Sequence, residues 1–321
     1  MTTIRLGYVA MSTQLVNASP SQTVTFAQFK QIKNKEAAIR KLGRVGVSNL
    51  DSCIRILKHN ISHDIQFFRL SSRLVPLVNH PEIGHWDYMT PLRDKLSELK
   101  TLIKKHQMRV GFHPDHFVVL NSENKEVFVN SLRVLQYHLH LLKGMGIHPV
   151  HRCVLHVGGR YNDKQQALET FIENWSFIPK QIQEMIILEN DDTVFTAEDT
   201  LYLCEKLNIP MVFDYHHHLT NDGDRSWEDL WDRIVKTWEH SPLPVKMHIS
   251  SPKTEKQPKA HHDYIDSKPF FSFLGQINGS VKNIDCMIEA KMKDEALFAL
   301  MRNVQKDDTF QVLNGSTFMV K

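Results

Sequence analysis

The chain has 321 residues, 41% hydrophobic and 23% charged, and its 39 basic and 36 acidic side chains leave a formal net charge of +3. That balance is ordinary for a globular enzyme, and no run of about 18 apolar residues is present to cross a bilayer. Whole-protein charge is too small to announce a nucleic-acid binder, so any such face has to be local.

The start, MTTIRLGYVAMS, has no basic stretch followed by a long apolar core, so a cytoplasmic location is expected. In chain order, short apolar and β-branched runs at 4–10, 65–71, 108–113, 153–158, 185–190, 210–215, 245–250 and 283–290 predict strands. Helical patterns alternate with them at 27–59, 90–107, 125–145, 163–183, 197–207, 226–239, 262–274 and 292–304. Pro91 behind Thr90, and Thr196 ahead of Glu198 and Asp199, read as helix starts. Eight strand–helix alternations predict a (β/α)8 TIM barrel in one domain over 1–321, with an open doubly wound sheet as the alternative. Segments 11–26 and 250–262 read as long βα loops, which in a barrel belong to the functional face; EKQPK in the second reads as a solvated charged turn. The four cysteines, Cys53, Cys153, Cys204 and Cys286, form no C-x-x-C pair and are expected to be reduced and buried.

Histidine is the unusual count, at 19. Residues of metal-ligand type stand near the C-terminal ends of the predicted strands: His113, His156, Glu189, Asp214, Lys246 with His248, and Glu289. In a parallel barrel those ends meet on one rim. Side chains alternate along a strand, so Lys246 goes with His248, Val154 with His156, Ile187 with Glu189 and Val212 with Asp214. A charge facing the barrel interior is costly unless it is paired or ligates a metal. Imidazoles and carboxylates without thiolates suit Zn2+, Mn2+ or Fe2+, and several carboxylates favour more than one ion. Clustered divalent ions characteristically serve phosphoester or amide hydrolysis. No G-x-S-x-G, P-loop or G-x-G-x-x-G is present, so no nucleotide cofactor is expected.

Eight ordered stretches then carry a resemblance: FFRLSSRLVPLVNHP (67–81), GFHPDHF (111–117), LHVGG (155–159), LENDD (188–192), FDYHHH (213–218), KMHISSPK (246–253), AHHDYID (260–266) and IEAKMKDEAL (288–297). With them the chain resembles the UV damage endonucleases, whose barrel is similar to that of the endonuclease-IV-like abasic-site nucleases. The resemblance implies one metal on His113, His156 and Glu189, a second on Glu189, Asp214, His248 and Glu289, and a third taking His217 and His261. It places Glu189, Lys246 and Tyr8 among the catalytic residues, and Lys246 matches a lysine that can be carboxylated. It implies two to three Mn2+, with Zn2+ or Co2+ as alternatives.

The chain departs from the family where Gln and an aromatic usually follow HPG or HPN: here His116 and Phe117 occupy the lesion-probing positions. Tyr8, His80 and Lys253 are the other implied DNA- or lesion-binding residues, and no Asn follows Tyr8, where Ala10, Met11 and Ser12 stand. Arg69 and Asn49 are also shared and are expected to be structural. A basic stretch from Lys30 to Arg44 reads equally as a phosphate-contacting or a solvated helix face. In VFDYHHH (212–218) the expected site is D-x-x-H, Asp214 with His217, while His216 and His218 lie around it or face phosphate. The implied reaction, on damaged double-stranded DNA by a monomer, is hydrolysis immediately 5′ of UV photoproducts (cyclobutane dimers, 6-4 photoproducts) or of abasic sites. The alternatives are a metal-dependent sugar isomerase or epimerase on the same barrel, and an inactive DNA-binding homologue.

Overall fold

A computed structural model describes residues 1–321. The strands and helices alternate from the start: β1 (Thr3–Val9), α1 (Phe26–Lys30), α2 (Lys35–Ser62), β2 (Phe67–Arg69), α3 (Met89–Lys105), β3 (Arg109–Gly111), α4 (Lys125–Gly144) and β4 (Cys153–His156). Then follow α5 (Lys164–Trp175), α6 (Lys180–Gln183), β5 (Ile186–Glu189), α7 (Ala197–Leu207), β6 (Met211–Asp214), α8 (Tyr215–Thr220), α9 (Trp227–Lys236) and β7 (Val245–Ile249). The chain continues through β8 (Pro252–Thr254), β9 (Gln257–His261), α10 (Ser267–Ile277), β10 (Asn283–Ile288), α11 (Lys293–Val304), β11 (Phe310–Asn314) and β12 (Thr317–Val320).

Parallel pairing runs from β4 through β5, β6, β7 and β10 to β1, and on through β2 to β3. A bridge between Phe112 and Cys153 joins the two ends. The ring is therefore the expected (β/α)8 TIM barrel. Strands β5, β6 and β7 are buried along their whole length, as strands covered on both faces must be, which is why they read as continuous apolar runs interrupted only by the functional residues.

Several elements differ from expectation, each for a local reason. The helix expected over 27–59 breaks at Asn34, whose side chain caps α2 by accepting from Ala37 N. The one expected over 163–183 breaks ahead of Pro179, which precedes the single turn of α6. Segment 250–262 is a β8–β9 hairpin rather than an irregular loop, so α10 starts only at Ser267 behind the Asp266 cap. The β11–β12 hairpin was not anticipated. β12 pairs with β1 at residues 3–5, below the Gly7–Val9 stretch that β2 covers, so the hairpin fills the part of the β1 edge that the short β2 leaves open.

Inside the barrel the residues change character from bottom to top. Near the strand starts Asp285 accepts from Arg5 Nε and Nη2, both at 2.7 Å, and from Arg109 Nη1 at 2.6 Å. Val9, Phe67 and Met287 form a small apolar cluster apart from the main core. Two residues beyond Met287 on the same face stands Glu289, and two beyond Gly111 stands His113.

Candidate metal centre

Glu189 ends β5 and is almost fully buried. Its Oε2 lies 2.9 Å from His113 Nε2 and 3.9 Å from His156 Nε2; its Oε1 lies 2.8 Å from His248 Nδ1 and 3.6 Å from His217 Nδ1. His113 and His248 come from strands that do not neighbour β5, so these contacts cross the barrel mouth. Three donor groups result, all sharing Glu189: with His113 and His156, with Asp214 and His217, and with His248 and Glu289. The first group is the expected one. Asp214 groups with His217 instead of with His248 and Glu289, and His261 stands outside the groups, its ring 6.2 Å from that of His217.

His113 and His217 are oriented by hydrogen bonds to backbone carbonyls. His113 Nδ1 pairs with Pro114 O at 3.1 Å, leaving Nε2 for Glu189. His217 Nδ1 pairs with Asn190 O at 2.9 Å, while the Asn190 amide holds the Asp214 backbone by donating to its O at 3.0 Å and accepting from its N at 2.9 Å. Asp214 caps α8 through Oδ1, which accepts from His217 N at 2.8 Å. Within the capped turn His217 is brought back over the strand end, a spacing that the D-x-x-H pattern encodes.

Electrostatics point to cations. Burial by itself would raise the Glu189 carboxyl, but His248, His156 and the hydrogen bond from His113 outweigh it and hold it well below the usual carboxylate range. Glu289 is likewise lowered against its burial, first by Arg69 and then by His248. For His217, burial is overcome by Asp214 and Glu189, which push the imidazole up to about 9. Asp214 Oδ2, His248 Nε2 and His156 Nδ1 are buried and have no hydrogen-bond partner. A folded chain rarely leaves such atoms unpaired without a ligand for them. The donor set of imidazoles and carboxylates, with Asp214 Oδ2 unclaimed in it, fits divalent cations.

Lys246 lies within β7, two residues before His248, and is 5% exposed. Burial, with Arg109 and Arg69 nearby, lowers its amine to about 7. Arg69 Nη1 donates to Glu289 Oε1, so this arginine, expected to be structural, borders the donor groups. Asn190 is not among the expected site residues; its sequence signals are its place directly after a strand-end carboxylate and its position within LENDD.

Tyr8 requires a correction. It is fully buried, its hydroxyl donates to Asn60 Oδ1 at 2.6 Å and its ring packs edge-on against Phe68, so it is not presented to solvent. Burial, with Asp294 nearby, raises its phenol further. Of the two places expected for His216 and His218, around the D-x-x-H pair or facing phosphate, their burial fits the first: both are 2% exposed, and His218 packs on the Phe213 ring. His80 stacks on Phe26 with ring centres 4.0 Å apart and lines a separate cavity of about 560 Å3 with Trp86 and Tyr88. Phe117 is 72% exposed, with the His116 ring 4.1 Å away. A cleft of about 300 Å3 runs from this loop to the donors, lined by His116, His156, Asp191 and His217 among others. Lys253 is exposed on β8.

Residues 4–319 match the family described as UV-endonuclease UvdE. A UV DNA damage endonuclease of Halalkalibacterium halodurans is 52% identical over 314 residues, 98% of each chain. The crystal structure of SacUVDE superposes with a TM-score of 0.82 at 30% identity, over 94% of this chain and 98% of that one. Endonuclease IV from Thermus thermophilus (TM-score 0.54, 79% and 94% covered) and a 3-keto-D-glucoside 4-epimerase from E. coli (TM-score 0.55, 95% and 100% covered) are both 11% identical, which shows the shared fold alone.

Proposed function

Because the chain belongs to the UV-endonuclease UvdE family, we propose that it is a metal-dependent UV DNA damage endonuclease that cuts damaged duplex DNA immediately 5′ of the photoproduct. The cut leaves a 3′-hydroxyl and a 5′-phosphate and starts excision repair; abasic sites are further substrates. The reading covers residues 1–321 as one catalytic domain acting as a monomer inside the cell, where its substrate is. No helix is long and apolar enough to cross a membrane.

The observation that carries the metal dependence is the sharing of Glu189 among three donor groups, two of whose histidines, His156 and His217, line the cleft. His113, His156, Glu189, Asp214, His217, His248 and Glu289 would hold two to three divalent ions, Mn2+ by preference with Zn2+ or Co2+ as substitutes, and His261 would approach from β9. Such ions, when bound, polarise a phosphodiester and acidify water. The protein's own contribution is orientation. Asn190 and Pro114 fix the imidazole faces, and Arg69 keeps Glu289 ionised at the rim. Lys246, with its amine lowered to about 7 by burial, is proposed to add to CO2 with loss of a proton and so carry a carbamate facing Glu189 and Glu289. His116 and Phe117 probe the duplex: photoproducts stack and pair poorly, so an exposed ring displaces them at lower cost than it displaces normal bases. Lys253 supplies a phosphate contact from the hairpin. An open cleft with an exposed ring on its edge suits a polymer, whereas a polyol isomerase needs a closed pocket.

The test is an end-labelled duplex carrying one defined photoproduct, incubated with Mn2+ and with chelator. Metal-dependent cutting immediately 5′ of the lesion is expected. Intact, metal-loaded protein that leaves the duplex uncut would end this reading.

A further inference from the structure

The double glycine of LHVGG, residues 158 and 159, contributes no donor to the metal centre and has a separate cause. Gly158 has φ of +126°, and a Cβ there would come within 2.3 Å of Asn121 Oδ1. Asn121 is fully buried and pairs with the next peptide on both sides: its Nδ2 donates to Gly159 O at 2.7 Å, and its Oδ1 accepts from Gly159 N at 3.1 Å. From α5, Asn174 Nδ2 donates to Leu120 O at 2.8 Å and to Ser122 O at 3.0 Å, on either side of Asn121. The buried Asn121 amide thus fastens the β3–α4 connection to the β4–α5 connection through both polar atoms of Gly159, and Asn174 ties the first of them to α5.

Each of these fastened connections presents an exposed aromatic side chain. The first displays Phe117; the second displays Tyr161, 51% exposed. Tyr161 has φ of +52°, a left-handed conformation that disfavours a bulky aromatic residue. Its ring lies over Gly159, where a Cβ would be 3.2 Å from both Cε2 and Cζ. Half-exposed, the ring brings little burial to the fold in return for that conformation. Strain held by surrounding structure and not repaid by packing is a sign of function. Gly158 itself lines the cleft that His156 and His217 also line, Tyr161 follows it by three residues on the same connection, and exposed Arg160 stands beside Tyr161.

We propose that Tyr161 is a second DNA-contacting aromatic, which stacks on a nucleobase bordering the lesion, and that Asn121 is the positioning residue that keeps its ring in register with Phe117. A π-face accepts any base, which suits an enzyme that selects damage and not sequence. The inference rests on the reading of the chain as a UV DNA damage endonuclease.

The experiment compares wild type, Tyr161→Ala, Tyr161→Phe and Asn121→Ala on a photoproduct duplex carrying 2-aminopurine beside the lesion. KM, kcat and probe fluorescence are measured. Tyr161→Ala is expected to raise KM about 5- to 100-fold with a smaller change in kcat and to lose the fluorescence change; Tyr161→Phe stays near wild type because the ring and not the hydroxyl stacks. Asn121→Ala is expected to give a similar loss, and the double variant no more than either alone, because both act through one ring. If Asn121→Ala fails to fold, Gly158→Ala breaks the same clamp from the loop side. Wild-type KM and fluorescence in Tyr161→Ala would overturn the inference while leaving the nuclease reading intact; a wild-type protein that never cuts the duplex removes the nuclease reading first.

Discussion

Two buried charge networks occupy opposite ends of one barrel, and they are built on opposite rules. At the lower end both oxygens of Asp285 are taken by Arg5 and Arg109. Burial would raise its carboxyl, but Arg109 and Arg5 outweigh that and lower it. At the upper end Glu189, Asp214 and Glu289 face histidines, and buried atoms such as Asp214 Oδ2 and His248 Nε2 remain unclaimed. Val9, Phe67 and Met287 lie in the interior as an apolar cluster, with the Lys246 amine 5.7 Å from the Phe67 ring centre. A network in which every carboxylate oxygen is claimed by a cation of the chain, as here with only Arg109 Nη2 left over, serves the fold. One that keeps capacity in reserve serves a ligand, and its residues accept poor mutual pairing as the condition for that role.

The sharpest way to break this contrast is Glu189→Gln, which strikes the residue common to all three donor groups. Cutting of a photoproduct duplex is expected to fall by at least about a thousandfold, above 4 kcal/mol of barrier, in protein that still folds. Near-normal cutting by a folded variant would show that the upper network is not the reactive one. The mirror experiment is Asp285→Ala. It strands the buried Arg109 guanidinium and is expected to cost about 3–5 kcal/mol in urea unfolding, with cutting per folded molecule little changed. A variant as stable as wild type would deny the lower network its structural role.

A smaller effect comes from a buried histidine that belongs to neither network. His138 on α4 is 1% exposed, its Nδ1 pairs with Val134 O at 2.8 Å, and burial pushes its imidazole down to about 4. Because the folded value lies below the ordinary one of 6.5, the unfolded chain binds the proton first as pH falls. Stability from this group is fully present above pH 6.5 and is lost progressively toward pH 4, amounting to about 2 kcal/mol at pH 5. Urea melts of wild type and His138→Leu at pH 7 and pH 5 check this: the variant should lose less on acidification, and equal losses would refute it.

The barrel and the donors were legible because both depend on local pattern. Alternation placed His156, Glu189 and Asp214 at strand ends, and parallel topology did the rest. What stayed hidden depends on partners far away in sequence. The burial of Tyr8 follows from Asn60, 52 residues on, and the place of Arg69 at the site follows from Glu289, 220 residues on. Helix α8 is not legible because its six residues are too few for a periodic signal, and Asp214, which starts it, also ends β6. The β11–β12 hairpin has only one edge to pair with, the short lower stretch of β1, and nothing within 310–320 announces that edge.

The two oxygens of Asp214 divide their work: Oδ1 begins α8 by accepting from His217 N, and Oδ2 is left to the donor group. The fold alone would accept Asn, Ser or Thr at this position, since each caps a helix about as well. The chemistry alone asks for a carboxylate. Aspartate is where the two requirements intersect. A chain that had drifted to asparagine there would keep the strand, the turn and the helix while losing an anionic donor. Such a protein would superpose on its active relatives without a visible difference, so function in this architecture has to be read from single atoms and cannot be inherited from the shape.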